Sequence, residues 1–162
     1  MAISKEDITF LKIIDEMEPK AHCLRANIAA LIVKDGNILV KHTNDWHPEI
    51  NCKEVGCIRN IRKIESGTHR EICYGLCAEQ WCIAKAAKDG IELNGATIYV
   101  TKHPCRVCES LICESGIIRV VYQEGYPDVL PNFNLFEKQG VIVEQGPNTE
   151  KKDPNRLKSD SI

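Results

Sequence analysis

The residues best suited to chemistry are three cysteines and a glutamate. Glu79 follows Cys77 by two positions, and Cys105 and Cys108 stand in a Pro-Cys-x-x-Cys stretch. Together the three cysteines offer three thiolates to one metal. Three protein ligands leave the fourth position of tetrahedral zinc to a water, which marks a catalytic rather than a closed structural site. Zinc brings the pKa of such a water close to neutrality, and a neighbouring group must then move its protons. Glu79 is the carboxylate at hand. Residues two apart on a helix point about 200° apart at 3.6 residues per turn. Cys77 and Glu79 therefore serve one site only if Cys77 sits at the helix cap, where the dipole also favours its thiolate.

Two rival readings use the same cysteines. A Cys-x-x-Cys pair that follows a strand and opens a helix is the setting of a thioredoxin-like redox pair, but that leaves Cys77-Ala78-Glu79 without a use. A non-enzymatic zinc module pairing Cys52 and Cys57 with Cys105 and Cys108 is the other. A nucleic-acid module should carry a basic face, and this chain has a net charge of −2. The order ligand, any residue, glutamate, then a distant Pro-Cys-x-x-Cys matches the general pattern of zinc nucleobase deaminases. A hydrolytic zinc site is the stronger reading.

There are nine cysteines in 162 residues. Their odd number and the Cys-x-x-Cys pair favour reduced thiols and metal over a disulfide framework. The N-terminal residues carry acids and lack a signal peptide's apolar run, and no apolar stretch reaches the roughly 18 residues that span a bilayer. The expectation is a cytoplasmic protein without membrane or nucleic-acid-polymer partners. Cys23 and Cys82 fall in apolar patterns and Cys113 on a helix, and all three read as small core hydrophobes.

The elements that must position the site follow from periodicity. Ser4-Lys5-Glu6-Asp7 resembles a capping box ahead of Phe10, Ile13, Ile14 and Met17 at helical spacing, ended by Pro19. Residues 28–33 form a continuous apolar run, as expected of a strand covered on both faces. Asp35-Gly36 turns the chain into a second strand over 38–40. A helix from Cys77 to Lys88 stops at Gly90, and a strand covers 96–101. A helix after Cys105 has Val107, Leu111 and Ile112 as its expected core face. A strand over 117–122, expected parallel to the 96–101 strand by its helical crossover, precedes a short helix near 133–140 and an edge strand at 141–143. The sum predicts an α/β protein, a three-layer αβα sandwich on a five-stranded mixed sheet. Residues 1–145 make the catalytic domain and 146–162 a polar tail.

Between about 45 and 76 the periodicity disappears. An irregular insert this long needs something to hold it. Cys52, Cys57 and Cys73 lie there, with His47 and His69 close by, and suggest a second, structural zinc. His47 is the first candidate for its fourth ligand and His69 the second.

Cys77-Ala78-Glu79-Gln80, Pro104-Cys105-Arg106-Val107-Cys108 and the following 115–122 segment resemble the cytidine and deoxycytidylate deaminase superfamily. The Cys52–Cys73 insert, Cys23-Leu24-Arg25 and Gly125-Tyr126-Pro127-Asp128 are similar to its deoxycytidylate branch. The resemblance implies a catalytic zinc on Cys77, Cys105 and Cys108, with Glu79 as proton shuttle. It also implies second-zinc ligands at Cys52, Cys57 and Cys73, a sugar contact near Asn44 and a pocket-edge tyrosine at Tyr122. The implied activity is hydrolytic deamination of a cytosine nucleotide or nucleoside, deoxycytidylate first, by a homo-oligomer.

Three departures bear on the substrate. Cys77 stands where that branch usually has histidine, and Trp81-Cys82 where it has a small Asn-Ala pair. His42-Thr43-Asn44-Asp45-Trp46 lacks the usual glycines of the pocket segment. Trp46 is thus a further substrate-contact candidate, and another amino-heterocycle is the alternative substrate. Arg106, between two ligands, reads either as a counter-charge to the third thiolate or as a solvated surface arginine.

Overall fold

The computed structural model describes residues 3–125 and 133–147. A five-stranded mixed sheet runs in the order β2-β1-β5-β6-β7, with β1 at Ala29–Lys34, β2 at Asn37–Thr43, β5 at Thr97–Lys102, β6 at Arg119–Glu124 and β7 at Ile142–Gln145. β1 pairs antiparallel with both β2 and β5. β5, β6 and β7 are mutually parallel, as the crossover after Cys105 requires for the first pair. The architecture expected from periodicity is the one found.

Alternation along the central strands builds the three layers. Leu31, Val33, Tyr99 and Val121 face one side, where Phe10, Leu11 and Ile14 of α1 (Lys5–Met17) pack on them. Ala30, Ile32, Ile98, Val100 and Val120 face the other, under α4 (Ala78–Asp89) and α5 (Arg106–Glu114). A strand that feeds two cores must be apolar at successive positions, which is why 28–33 reads as an unbroken run.

α1 is fixed by more than its apolar stripe. Ser4 Oγ accepts from Asp7 N (3.1 Å), and Asp7 Oδ2 accepts from Ser4 N (2.7 Å), closing the capping box. Asp7 also accepts from Tyr99 Oη at 2.6 Å and from Arg119 Nη1 at 2.7 Å. Arg119 Nε in turn donates to Glu144 Oε2 on β7 at 2.7 Å. One buried carboxylate thus ties the first helix to β5, β6 and, through arginine, the sheet edge.

The insert contains only one-turn pieces. Asp45–Trp46 (β3) and Gly75–Leu76 (β4) pair across its base, and α2 (Cys52–Val55), α3 (Ile58–Ile61) and a 3-10 turn (Arg70–Ile72) lie between. A Cβ on Gly75 would come within 2.6 Å of the Asp45 carbonyl oxygen, so only glycine permits this close approach.

One element departs from expectation. On α5 it is Cys108 and Ile112, both 0% exposed, that face the core, whereas Val107 and Leu111 are 59% and 38% exposed. The stripe is displaced by one position because Cys108, one turn before Ile112, sets the inward face. The final helix is the single turn Leu135–Lys138 (α6), with Phe136 inward. Residues 126–128 of the resemblance and most of the tail beyond 146 lie outside the described residues.

Candidate active site and metal centre

Both cysteine motifs fall on helix caps. Cys77 is the N-cap of α4, extended at φ −62°, ψ 156°, and Cys105 is the N-cap of α5 at φ −75°, ψ 166°. The cap geometry that Cys77 and Glu79 require is present. Cys77 N donates to Gln80 Oε1 (2.8 Å), which anchors the cap. Two helix N-termini therefore converge on one point and favour negative charge there.

The sulfurs of Cys77, Cys105 and Cys108 all lie within 4.8 Å of one another, and they are the one such group among the described residues. Cys105 and Cys108 Sγ are 3.5 Å apart. Hydrogen bonds from Cys108 and Cys77 pull the Cys105 thiol well below its ordinary pKa. The contact with Cys105, together with burial, pushes Cys77 and Cys108 up. Three sulfurs this close cannot all ionise without a cation among them. Zn–S bonds of about 2.3 Å in a tetrahedron place sulfurs roughly 3.8 Å apart, so the donor set and spacing fit zinc.

Glu79 lies beside this centre, 4% exposed, and its Oε2 has no hydrogen-bond partner. Burial pushes its carboxyl up to about 7, with the charge at Cys105 acting in the same direction. An acid with a pKa near operating pH both takes and gives protons readily.

Two cavities meet at Cys105. One, about 390 Å³, reaches from Cys77 and Gln80 past Asn44 and Trp46 to the insert's cysteines. The other, about 520 Å³, lies between the Gly67–Glu71 stretch, His103, α5 and Phe136. Arg70, Glu71 and Val107 line both, which explains why an apolar residue such as Val107 stays exposed.

The remaining sequence candidates divide. Asn44 lines the first cavity, but both ends of its amide are engaged: Oδ1 accepts from Ile28 N (2.8 Å) and Nδ2 donates to Ala26 O (2.7 Å). Its evident task is to hold the segment ahead of β1. Trp46 lines the same cavity, with Lys53 Nζ 5.9 Å from its ring centroid. Tyr122 is buried, with His103 edge-on at 4.8 Å, and lines neither cavity. Trp81 stacks on His42 at 4.9 Å and donates to the Asp45 carbonyl (3.2 Å), bracing the pocket segment from α4.

Cys52, Cys57 and Cys73 line the first cavity together with Cys23. Burial and then the charges of Cys57, Cys73 and Cys23 raise the Cys52 thiol pKa. His47 is not in that lining; its Nδ1 accepts from Glu49 N at 3.3 Å. His69 Nδ1 pairs with Glu71 at 2.9 Å beside the second cavity. Arg106 is exposed, while the cation within reach of the thiolates is Arg70. Burial lowers its pKa, but Cys77, Cys105, Cys108 and Glu79 outweigh this and hold it above the ordinary value. Sequence reasoning missed Arg70, which belongs to no spaced motif; Cys23, read there as a core hydrophobe, instead lines the cavity with the insert's cysteines.

Known proteins of this kind exist. ComE operon protein 2 of Bacillus subtilis (strain 168) is 33% identical over 127 residues, covering 78% of this chain and 63% of that protein. The chain thus spans less than two thirds of that relative's length. Deoxycytidylate deaminase of Mycobacterium phage D29 is 32% identical over 122 residues, 72% of this chain and 92% of the phage protein. Among solved structures, the dCMP deaminase of cyanophage S-TIM5, in complex with dCMP and dUMP, has a TM-score of 0.70 at 23% identity, covering 90% of this chain and 100% of that one. At that identity the likeness speaks for the fold. The MafB19-like deaminase family model matches residues 4–150, nearly all that is described here. The chain belongs to the MafB19-like deaminase family, within the cytidine and deoxycytidylate deaminase superfamily.

Proposed function

We propose that the protein is a zinc-dependent hydrolase that removes the exocyclic amine of a cytosine nucleotide or nucleoside, with deoxycytidylate the favoured substrate. The observation that carries this reading is the buried Glu79, with an unpartnered carboxylate oxygen, beside three converging thiolates. Cys77, Cys105 and Cys108 would hold zinc, and the bound ion would supply a Lewis acid able to lower the pKa of a water to near neutrality. Glu79 would carry one proton from the attacking water to the ring nitrogen as oxygen bonds the amine-bearing carbon, and then the hydroxyl proton to the exocyclic nitrogen as the C–N bond breaks and ammonia leaves. The helix N-termini at Cys77 and Cys105 offset part of the charge that three thiolates bring, each by about 0.3–1 kcal/mol. The catalytic unit in this reading is residues 1–145, and assembly into a homo-oligomer belongs to the same proposal.

The test is to screen cytosine, cytidine, deoxycytidine and their monophosphates for ammonia release by the zinc-loaded chain. Release from a cytosine compound, lost in Cys105→Ser together with the metal, is the expected result. Absence of release from all of them would overturn the reading.

A second zinc, holding the insert, is part of the proposal. Cys52, Cys57 and Cys73 are the ligands we propose, although their sulfurs are not gathered within 4.8 Å of one another as those of Cys77, Cys105 and Cys108 are, and Cys23, which shares their cavity, is a better candidate than His47 to complete them. Metal analysis should find two zinc ions per chain and one in Cys73→Ser, with lower stability, since structural zinc binding is folding energy. One ion in both proteins would remove the second site.

A further inference from the structure

Cys105 and Cys108 are suited to a second chemistry. Cys105 is the N-cap of α5, and Cys108 follows it in the first turn of the same helix. The Glu109 amide donates to the Cys105 carbonyl at 2.8 Å and fixes that turn. The two sulfurs lie 3.5 Å apart. A disulfide needs about 2.05 Å between sulfurs, so rotation of the two side chains can close the gap while the helix stays in place.

The three thiols of the candidate metal site differ in access. Cys105 is half-buried and lines both cavities. Cys77, 7% exposed, lines the first alone, and Cys108, 0% exposed, lines neither. A small oxidant entering by either cavity therefore meets the sulfur of Cys105 first. The helix N-terminus there favours the thiolate, which is the form that attacks. Cys108 stands behind it, shielded from the oxidant but next to the sulfur that is oxidised. An accessible thiol with a resolving cysteine at hand is the arrangement of a redox-sensing pair, because the second thiol intercepts the sulfenic acid before it is oxidised further.

We propose that Cys105 and Cys108 form a peroxide-sensitive dithiol, which closes to a disulfide when the catalytic metal site is empty and stays open when zinc occupies it. The Cys105 thiolate attacks one oxygen of hydrogen peroxide. The O–O bond breaks, hydroxide leaves and takes up a proton to become water, and Cys105 is left as a sulfenic acid. The Cys108 sulfur then attacks the Cys105 sulfur, and its proton departs with the hydroxyl as a second water. One S–S bond has formed, and two electrons have passed from the sulfurs to one peroxide. Closure removes two of the three donors gathered with Cys77, so the disulfide and the metal exclude each other. A redox pair and a metal site, rival readings of Pro104-Cys105-Arg106-Val107-Cys108, become two states of the same residues. The pairing rests on the sulfur geometry alone, and the protection by zinc rests on the metal site proposed above.

The test treats the full chain, zinc-loaded or metal-free, with one equivalent of hydrogen peroxide, then counts thiols and maps linked peptides. Two of the nine thiols should disappear from the metal-free chain, with the link between Cys105 and Cys108, while the zinc-loaded chain keeps them. The oxidised chain should take up one zinc fewer than the reduced chain until dithiothreitol restores it. Cys77→Ser should still form the link. Cys108→Ser should stop at the sulfenic acid on Cys105, which dimedone captures, and Cys105→Ser should give neither product. A link confined to Cys23, Cys52, Cys57 and Cys73, or one joining Cys77 to Cys105, would overturn the proposal. So would equal oxidation of the two forms, or undiminished zinc uptake after closure. Closure of the pair in a chain that releases no ammonia from any cytosine compound would uphold the dithiol and overturn the deaminase reading instead.

Discussion

The sheet separates two buried carboxylates that meet opposite fates. On the α1 side Asp7, 3% exposed, is held by Ser4, Tyr99 and Arg119. On the other side Glu79, 4% exposed, keeps one oxygen without a partner. Burial pushes both acids up. At Asp7 the bonds from Arg119, Tyr99 and Ser4 outweigh it and hold the carboxyl far below its usual range. At Glu79 burial prevails and the carboxyl rises to about 7. Depth alone therefore does not distinguish a structural acid from a chemical one. What distinguishes them is whether the fold has satisfied the charge or left it to be satisfied by something that comes and goes.

The largest effect should come from Glu79→Gln, which keeps the size of the side chain and removes its proton traffic. Turnover should fall by about 10²- to 10⁴-fold with zinc content unchanged and thermal stability no lower than wild type. Wild-type rates in this variant would remove Glu79 from the mechanism. The mirror experiment is Asp7→Asn, which leaves Arg119 facing a neutral group. Glu144 still neutralises Arg119 in this variant, so the loss is that of a charge-assisted hydrogen bond, about 1.5–3 kcal/mol, and denaturant unfolding should show it with the site's chemistry intact in the protein that remains folded. A loss under about 1 kcal/mol would show that the pair is no better than a surface contact.

Acid titration sharpens the contrast. A folded-state pKa below the unfolded value of about 3.9 means that Asp7 gives its full stabilisation above that pH and loses it as pH falls toward the folded value. Wild type should thus lose stability steeply below about pH 4, and Asp7→Asn should show a flatter profile there. Equal slopes would assign the acid sensitivity to other groups. The smallest effect concerns the brace rather than either acid. Trp81→Phe removes the bond to the Asp45 carbonyl and should cost about 1 kcal/mol, visible as a modest fall in Tm. If Tm is unmoved but KM changes, the indole touches substrate instead.

Much of this was legible in the sequence, for reasons that differ by element. The run at 28–33 identified a doubly covered strand because each residue serves a core. The cap position of Cys77 followed from helical geometry alone, since no other placement lets it share a site with Glu79. The face of α5 was misread because Val107 and Leu111 look like core and instead border a cavity and solvent. Asn44 kept its place near the cavity, but its amide is spent on backbone groups that no spacing rule reveals. The Arg119–Asp7 pair joins residues 112 apart in sequence. Arg70 stands in a segment without periodicity, so nothing marked it until folding set it near the thiolates.

Cys77 both begins helix α4 and, in the zinc site proposed above, offers a sulfur to the metal. One residue therefore anchors two things whose timing would otherwise be independent: the arrival of the ion and the winding of the turn that carries Glu79. In that reading a chain stripped of metal keeps the Gln80 anchor of the cap but loses the tie through sulfur that fixes how the first turn, with Glu79, meets the site. Metal loading is then an assembly step as well as a chemical one, and hydrogen exchange at the amides of residues 78–81 should slow together with zinc uptake rather than before it.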